Sequence, residues 1–441
     1  MILIVGMARS GIAAARLLKS QGRSVFVTDA GKPASSRELD AMDIPYETGG
    51  HTPSRFLGAE EIVVSPGVPL TIEPLEAARR KGISIVGELE VAHRYLNGEI
   101  VAITGSNGKT TTTTLVGEIL KTAGRPVQVG GNIGTALCDL VGTSTSRTIN
   151  VVEVSSFQLD SIRDFRPKVG VLLNITPDHL DRYTDFPAYR ASKFRLFENQ
   201  RESDVAVLNQ DDPQCQPEPG CIRARKLSFS RRQRVEAGAF QDGRTLYLAE
   251  QPVMEAADVS LRGGHNIENV LASMTVAGVY DIDRPALAGV IRAFRGVEHR
   301  IEYVLTIRGV QFFNDSKATN VDSAIKAVES FEGNLVVILG GKDKGASYAP
   351  LVDAMRNRVK HIVLIGTAAD RIAASIGDLF PVARATSMED AVRQGFAGAS
   401  AGDVVLLSPA CASFDMFDNY EHRGKVFKES VSRLEASCQR R

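Results

Sequence analysis

Cysteine is scarce in this 441-residue chain, and its five cysteines (Cys138, Cys215, Cys221, Cys411, Cys438) are odd in number and scattered. That excludes a disulfide framework, and without a C-x-x-C pair it excludes the usual cysteine zinc spacing. No apolar run approaches the roughly 20 residues that span a bilayer, so no membrane association is expected. Net charge is missing too: 52 Lys and Arg balance 52 Asp and Glu. A chain-wide basic surface for nucleic acid is therefore excluded, and no nucleic-acid partner is expected. Internal repeats and low-complexity segments are absent. A hydrophobic share of 43% with 24% charged residues excludes a disordered chain. The opening Met1-Ile2-Leu3-Ile4-Val5-Gly6 has no basic residue ahead of its apolar run and reads as a buried strand, not a signal peptide. A cytoplasmic location and a monomer are the expectations.

What the chain does have is three runs of alternating strand and helix, the pattern of α/β domains with parallel sheets. The expected division is 1–92, 93–296 and 297–441. The first run has strands at Ile2–Val5, Ser24–Thr28, Glu61–Ser65 and Ile83–Val86, with a helix over 11–21. The second has strands at Ile100–Thr104, Asn150–Val154, Val169–Asn174 and Asp204–Leu208. Residues 210–260, with Pro213, Pro217 and Pro219, read as irregular loops and antiparallel strands, and a helix follows over 266–280. The third has strands at Val310–Asn314, Leu335–Gly340, His361–Ile365 and Asp403–Leu407, then a charged terminal helix over 421–436.

The sharpest motif is Thr104-Gly105-Ser106-Asn107-Gly108-Lys109-Thr110-Thr111, between a buried strand and a helix. Glycines there let successive backbone N–H groups turn toward phosphate oxygens, and the helix N-terminus adds positive potential. Lys109 reaches the terminal phosphates in such a loop, and the hydroxyl of Thr110 or Thr111 faces Mg²⁺. The general pattern wants glycine at 103, where this chain has Ile103. Two acidic and histidine candidates follow later strands of the same domain. Glu153 closes one and can ligate Mg²⁺ directly or through water. His179, in Asn174-Ile175-Thr176-Pro177-Asp178-His179, can ligate a metal, orient a substrate or accept a proton.

The outer runs carry weaker signals. Gly6-Met7-Ala8-Arg9-Ser10-Gly11 is a dinucleotide fingerprint with Ala8 at its second glycine, and Asp29 stands where a ribose-binding acid belongs. The same turn fits a Rossmann-like loop that binds no dinucleotide. Near the third run, Arg300 can add positive charge to a transferred phosphoryl group or form a plain interdomain ion pair. Asp315, Lys317 and Thr319 alternate, so an extended segment puts them on one face. Lys342, in a glycine-rich loop after a strand, can hold a carboxylate. Cys411 tempts a nucleophile reading, which the absence of a nearby histidine opposes.

The departure at position 103 is informative, because the loop 104–110 resembles the variant phosphate loop of the Mur ligases and the folylpolyglutamate synthases. The Rossmann-like run ahead of the loop sets the chain apart from the second group, and it is identified as a member of the Mur ligase family across essentially its whole length. The resemblance implies three α/β domains: a Rossmann-like N-terminal domain for a UDP-sugar, a P-loop ATPase-like central domain and a Rossmann-like C-terminal domain for an amino acid. It implies ATP and Mg²⁺, and ligation through an acyl phosphate. Ser155-Ser156-Phe157-Gln158-Leu159, Asn314–Asn320 and Ser408–Phe417 are similar to the family's D-glutamate-adding branch, and the Asp-Asn-Pro-x-Arg motif of the diamino-acid branch is absent. The implied partners are UDP-N-acetylmuramoyl-L-alanine and D-glutamate. Carried over residue by residue, Ser10, Asp29, Ser65 and Gly67 contact UDP. Asn132 contacts the substrate, as does His179, and Asn266 and Asn269 contact adenine. Asp315 serves the nucleotide. Lys317, Thr319, Lys342, Ser408 and Phe414 serve the substrates. Lys193, on composition an ordinary helix lysine, matches the family's carbamylated lysine, a ligand for Mg²⁺. A nicotinamide-dependent dehydrogenase and a non-catalytic nucleotide switch are the competing readings.

Overall fold

Ile2–Val5, Val101–Ile103, Val169–Leu172 and Leu335–Leu339 are apolar or glycine on both faces of the pleat, so each strand needs cover above and below. A parallel sheet flanked by helices supplies it. The computed structural model describes residues 1–439 except Ala34, His179–Asp181, Lys344 and Ala346. It contains three such sheets, one per run.

The first sheet is parallel throughout: β1 (Ile2–Val5), β2 (Val25–Asp29), β3 (Tyr46–Thr48), β4 (Glu61–Val64) and β5 (Ser84–Gly87), in the order β3-β2-β1-β4-β5. The order reverses between β1 and β4, which opens a crevice at their C-terminal ends, the usual ligand side of such sheets. The second sheet holds β6 (Glu99–Thr104), β7 (Val127–Gly131), β8 (Ile149–Glu153), β9 (Val169–Leu172), β10 (Val205–Asn209), β11 (Arg225–Ser230), β12 (Gly238–Asp242), β13 (Thr245–Leu248) and β14 (Gln251–Glu255). Their order is β14-β13-β12-β11-β10-β9-β6-β8-β7. The third holds β15 (Glu302–Ile307), β16 (Val310–Asn314), β17 (Leu335–Gly340), β18 (Val359–Ile365), β19 (Val382–Arg384) and β20 (Val404–Leu407), in the order β15-β16-β20-β17-β18-β19.

Of the antiparallel strands expected over 210–260, those from Thr245 onward pair antiparallel, and the part before them needs correction. β11 and β12 extend the parallel sheet, and antiparallel pairing begins only at β13. The cause is local: β12 returns through the two-residue turn Gly243-Arg244, and β13 through Ala249-Glu250, where both residues have positive φ (48° and 62°). Four strands, β3, β7, β15 and β19, were not foreseen. The two of three residues (β3 and β19) contain no fully buried residue, so periodicity does not mark them.

The chain forms two compact units, residues 1–258 with 268–292, and residues 259–267 with 293–441. Within the first, one apolar cluster runs from Ile4, Ile12 and Leu18 through Leu89 to Val152, Leu172 and Phe197, so the first two sheets share a core. In the second, the third sheet is covered on both faces by separate clusters around Leu339 and Val405. No helix among the described residues is long and apolar enough to cross a membrane.

A buried carboxylate helps fasten the first two sheets. Glu90, fully buried on the helix Glu88–Tyr95, accepts the backbone N–H groups of Arg163, Asp164 and Phe165 on one oxygen at 2.8–3.0 Å. Arg94 stands 3.8 Å from the other oxygen. Glu90→Ala leaves three donors short of their acceptor and is expected to cost about 3 kcal/mol. The check is the urea unfolding midpoint, which should fall; an unchanged midpoint contradicts this reading of the joint.

Candidate active site

β6 ends at Thr104, and the chain turns through residues 105–108 into the helix Lys109–Thr122. Gly108 caps that helix at φ +84°, and a Cβ there would lie 2.2 Å from Asn269 Oδ1. Only glycine fits both constraints. The rest of the loop is pinned from β9. Asn174 Oδ1 accepts the Asn107 N–H at 2.8 Å, its Nδ2 donates to Asn107 O at 3.1 Å, and its carbonyl accepts the Ser106 N–H at 2.9 Å. Ser106 Oγ donates to Thr176 O, accepts the Thr176 N–H, and lies 3.0 Å from the Tyr189 hydroxyl. Lys109 Nζ folds back onto Gly105 O and Ser106 O at 2.8 and 2.9 Å. Thr110 and Thr111 are buried in the first helical turn. The result is a preformed loop that ends in a helix N-terminus with an ammonium beside it, the elements of an anion cradle.

Lys193 reaches this loop, and Glu153 closes the strand paired with the one that leads into it. Lys193, on the helix Phe186–Phe194, is 1% exposed and donates to Gly105 O at 3.0 Å. Its Nζ also lies 4.6 Å from the Tyr189 ring centre. Burial, then the neighbouring Lys109 charge, pushes the Lys193 ammonium well below the usual lysine range, against the pull of Asp178, Cys215 and Asp160. The shift favours loss of the proton, and the unprotonated lysine amine is the nucleophilic form. Glu153, at the end of β8, is 2% exposed. Asn132 Nδ2 donates to Glu153 Oε1 at 2.9 Å, while Oε2 is buried and has no hydrogen-bond partner among the described residues. A buried carboxylate oxygen left without a partner among the described residues is the donor chemistry that Mg²⁺ takes. These residues therefore fit the ion. His179 lies outside the described residues.

The first sheet's candidate residues gather at the crevice between β1 and β4. Asp29 accepts the Met7 N–H at 2.7 Å and the Gly31 N–H at 2.8 Å, so it braces the glycine turn. Ser65 is buried and donates to Gly6 O at 3.2 Å. Ser10 is half-buried, and the space where a Gly67 Cβ would stand is open. The adenine candidates are both buried: Asn269 Oδ1 accepts from Thr112 Oγ1 at 3.3 Å, and Asn266 Nδ2 donates to Arg262 O at 2.7 Å.

In the second unit, Asp315 is the centre. It is buried, accepts Ser408 Oγ at 2.9 Å on one oxygen and the Ile301 N–H at 3.2 Å on the other. Burial raises it to about 7, against the pull of Arg300, the two hydrogen bonds and Arg423. The expected extended run through Asp315, Lys317 and Thr319 is corrected here. The Ala318 N–H bonds Asp315 O and the Thr319 N–H bonds Lys317 O, so the segment is a turn and the three residues do not share a face. Lys317 Nζ lies 5.5 Å from the Tyr420 ring centre. Ser408, expected against substrate, is fully buried and stands behind Asp315. Phe414 is 68% exposed, and Lys342 is exposed with its backbone bridged to Ala412. The Cys411 thiol is buried, raised by that burial, and 3.1 Å from the Tyr348 hydroxyl, which opposes a nucleophilic role.

Sequence reasoning missed the residues that hold this frame. Arg423 is 1% exposed and donates to Ser316 Oγ, Ser316 O, Cys411 O and Ala412 O at 2.8–3.3 Å, tying the loops after β16 and β20. Burial lowers it to about 10. Nothing in the charged terminal helix distinguishes it. Asn174 had a usable signal, an asparagine at the exit of the strand beside the phosphate loop.

Three family descriptions match the chain: the Mur ligase MurD-like N-terminal domain over residues 1–87, the Mur ligase middle domain over 103–277, and the Mur ligase glutamate ligase domain over 299–411. The UDP-N-acetylmuramoylalanine–D-glutamate ligase of Solibacter usitatus is 47% identical, over 98% of this chain and 98% of its own. The Koribacter versatilis protein of the same name is 45% identical, over 98% and 97%. The solved UDP-N-acetylmuramate–alanine ligase of Thermotoga maritima shares the fold at 18% identity and TM-score 0.63, covering 99% of each chain. The MurF ligase from the same organism, in complex with ADP, does so at 16% and 0.63, covering 93% and 96%.

Two outcomes follow from the geometry. Gly108→Ala forces a Cβ against Asn269 and should weaken ATP binding more than tenfold, read by calorimetric titration; near-normal affinity contradicts the packed loop. Asp315, with its carboxyl raised when folded, holds a proton that the unfolded chain releases first. Its contribution to stability is therefore present at low pH and lost as pH rises from the ordinary carboxylate range, about 4, through 7. Asp315→Asn should narrow the difference in melting temperature between pH 5 and pH 8, and an unchanged difference contradicts this.

Proposed function

The chain belongs to the Mur ligase family, and from that premise we propose that it adds D-glutamate to UDP-N-acetylmuramoyl-L-alanine, consuming ATP, in peptidoglycan precursor synthesis. The full-length relatives at 45–47% identity, named for that reaction, support the choice of amino acid. The observation on this chain that carries the ligase chemistry is the buried Lys193 side chain on the phosphate loop, with a Glu153 oxygen, unpaired among the described residues, on the strand paired with β6.

The reaction proceeds in two steps. The substrate carboxylate attacks the γ-phosphate of ATP, giving an acyl phosphate and ADP. The amine of D-glutamate then attacks the acyl carbon, and phosphate leaves. Residues 1–92 take the UDP-sugar through Ser10, Asp29, Ser65 and Gly67. Residues 93–296 seat ATP on Gly105, Ser106, Asn107 and Gly108, with Lys109 offsetting the charge of the transferred group. Asn269, and Asn266 at the helix start, meet adenine, and Asn132 meets the substrate. Residues 297–441 supply Arg300 and Asp315 to the nucleotide, and Lys317, Thr319, Lys342 and Phe414 to the substrates, with Ser408 acting through Asp315. Thr110 or Thr111, Glu153, His179 and a carbamate on Lys193 would hold Mg²⁺, which would supply positive charge to the phosphates. Lys193 gains that carbamate when its neutral amine attacks CO₂ and loses a proton, which turns a cation into an oxygen donor. His179 is the proposed acceptor of the proton that the attacking amine must shed. The enzyme acts as a cytoplasmic monomer, where its nucleotide substrates are.

The test is phosphate release from ATP with UDP-N-acetylmuramoyl-L-alanine, with D-glutamate, L-glutamate, a diamino acid or no amino acid. Release that needs the nucleotide sugar and D-glutamate is the expected result. Release with the diamino acid instead moves the chain to a sister step, and no release with any of them returns it to a nucleotide switch. In the same assay Lys193→Ala should be inactive and recover in part with short carboxylates. Full activity without them contradicts the carbamate.

A further inference from the structure

Arg9 opens the helix Arg9–Ser20, directly after the glycine turn of the first sheet. A cation in the first turn of a helix opposes the macrodipole, and no acidic residue in that turn compensates. Its side chain is directed elsewhere. Nη2 donates to Asn132 O at 3.0 Å and Nη1 to Gly134 O. Those carbonyls belong to the turn after β7, which the Gly131 N–H closes onto Thr135 O at 2.8 Å.

That turn has almost no freedom on its inner side. Gly131 has φ +98°, and a Cβ there would meet Glu153 O at 2.5 Å. The Asn132 N–H donates to Glu153 O at 2.9 Å, and Nδ2 to Glu153 Oε1 at 2.9 Å. The side-chain bond occupies one oxygen of Glu153 and leaves Oε2 as the unpaired one. On its outer side the turn is held by Arg9. A continuous chain of contacts thus runs from the turn after β1, through the guanidinium to the Asn132 backbone, and through the Asn132 side chain to the Glu153 carboxylate.

We propose that Arg9 is a positioning residue for the reaction: it clamps the Asn132 turn and so sets the orientation of the Glu153 carboxylate. What Glu153 serves rests on the ligase reading; that Arg9 holds the turn does not.

Arg9 is exposed, so Arg9→Ala is expected to fold with an unchanged melting temperature. Hydrogen–deuterium exchange on the nucleotide-free protein should show residues 130–135 exchanging faster in the variant than in wild type. At saturating substrates, the Mg²⁺ concentration for half-maximal rate should rise about tenfold, the usual effect of removing support behind a metal-binding carboxylate. Arg9→Lys, which can reach one carbonyl, should restore part of both. Unchanged exchange with an unchanged Mg²⁺ requirement overturns the proposal. So does an effect confined to KM for the nucleotide sugar, which makes Arg9 a substrate contact. If wild type shows no turnover with D-glutamate, the ligase reading fails, while the exchange comparison still decides whether Arg9 holds the turn.

Discussion

Residue 108 has room for a hydrogen and nothing larger. With φ at +84° and Asn269 Oδ1 where a Cβ would be, the backbone of the phosphate loop has one shape. Asn174 then fixes Ser106 and Asn107 from the neighbouring strand, using backbone and side chain together. The loop's backbone is thereby held in place before any anion arrives, so little reorganisation remains for the moment of phosphoryl transfer. Lys193 and Ser106 take their places relative to that loop, through Gly105 O and Tyr189. Loosening residue 108 would disturb each of them.

Around this frame the chain keeps charges where water does not stabilise them. Lys193, Glu153, Asp315 and Arg423 are each 3% exposed or less. Such burial is destabilising unless partners compensate, and here compensation is deliberately incomplete in two places. Among the described residues Glu153 keeps one oxygen unpaired, and Lys193 has a backbone carbonyl and a ring face where an ion pair would serve a purely structural lysine better. Arg423 is the opposite case, a buried cation with four hydrogen bonds, all of them holding loops in place. The contrast separates groups kept reactive from groups kept rigid.

The parts of this arrangement that follow from local pattern were legible in the sequence. Apolar strands followed by glycine loops announced the three sheets, and the run from Gly105 to Thr111 announced the phosphate site. Glu153 could be singled out because it closes a buried strand. What was not legible depends on contacts across long stretches of chain. No spacing rule brings Asn269 to Gly108 or Arg423 to Ser316, and none shows that Lys193, next to Ser192 and three residues from Arg190, is buried. The turn at Asp315–Thr319 was misread as extended because alternation of residue types resembles a strand. Its carbonyls at Asp315 and Lys317 are instead bonded locally, by Ala318 and Thr319. β11 and β12 were misread because proline-rich connections suggest irregular chain, whereas the strands between them pair with a sheet already built.

The central claim is that the substrate carboxylate attacks phosphorus, and it is tested by following oxygen. With both carboxylate oxygens of UDP-N-acetylmuramoyl-L-alanine labelled with ¹⁸O, an acyl phosphate must carry one labelled oxygen into the phosphate that leaves. Mass spectrometry of the released phosphate should therefore show one ¹⁸O per phosphate, with the other retained in the new amide. Phosphate free of label, formed alongside the amide product, would contradict acyl phosphorylation at this loop.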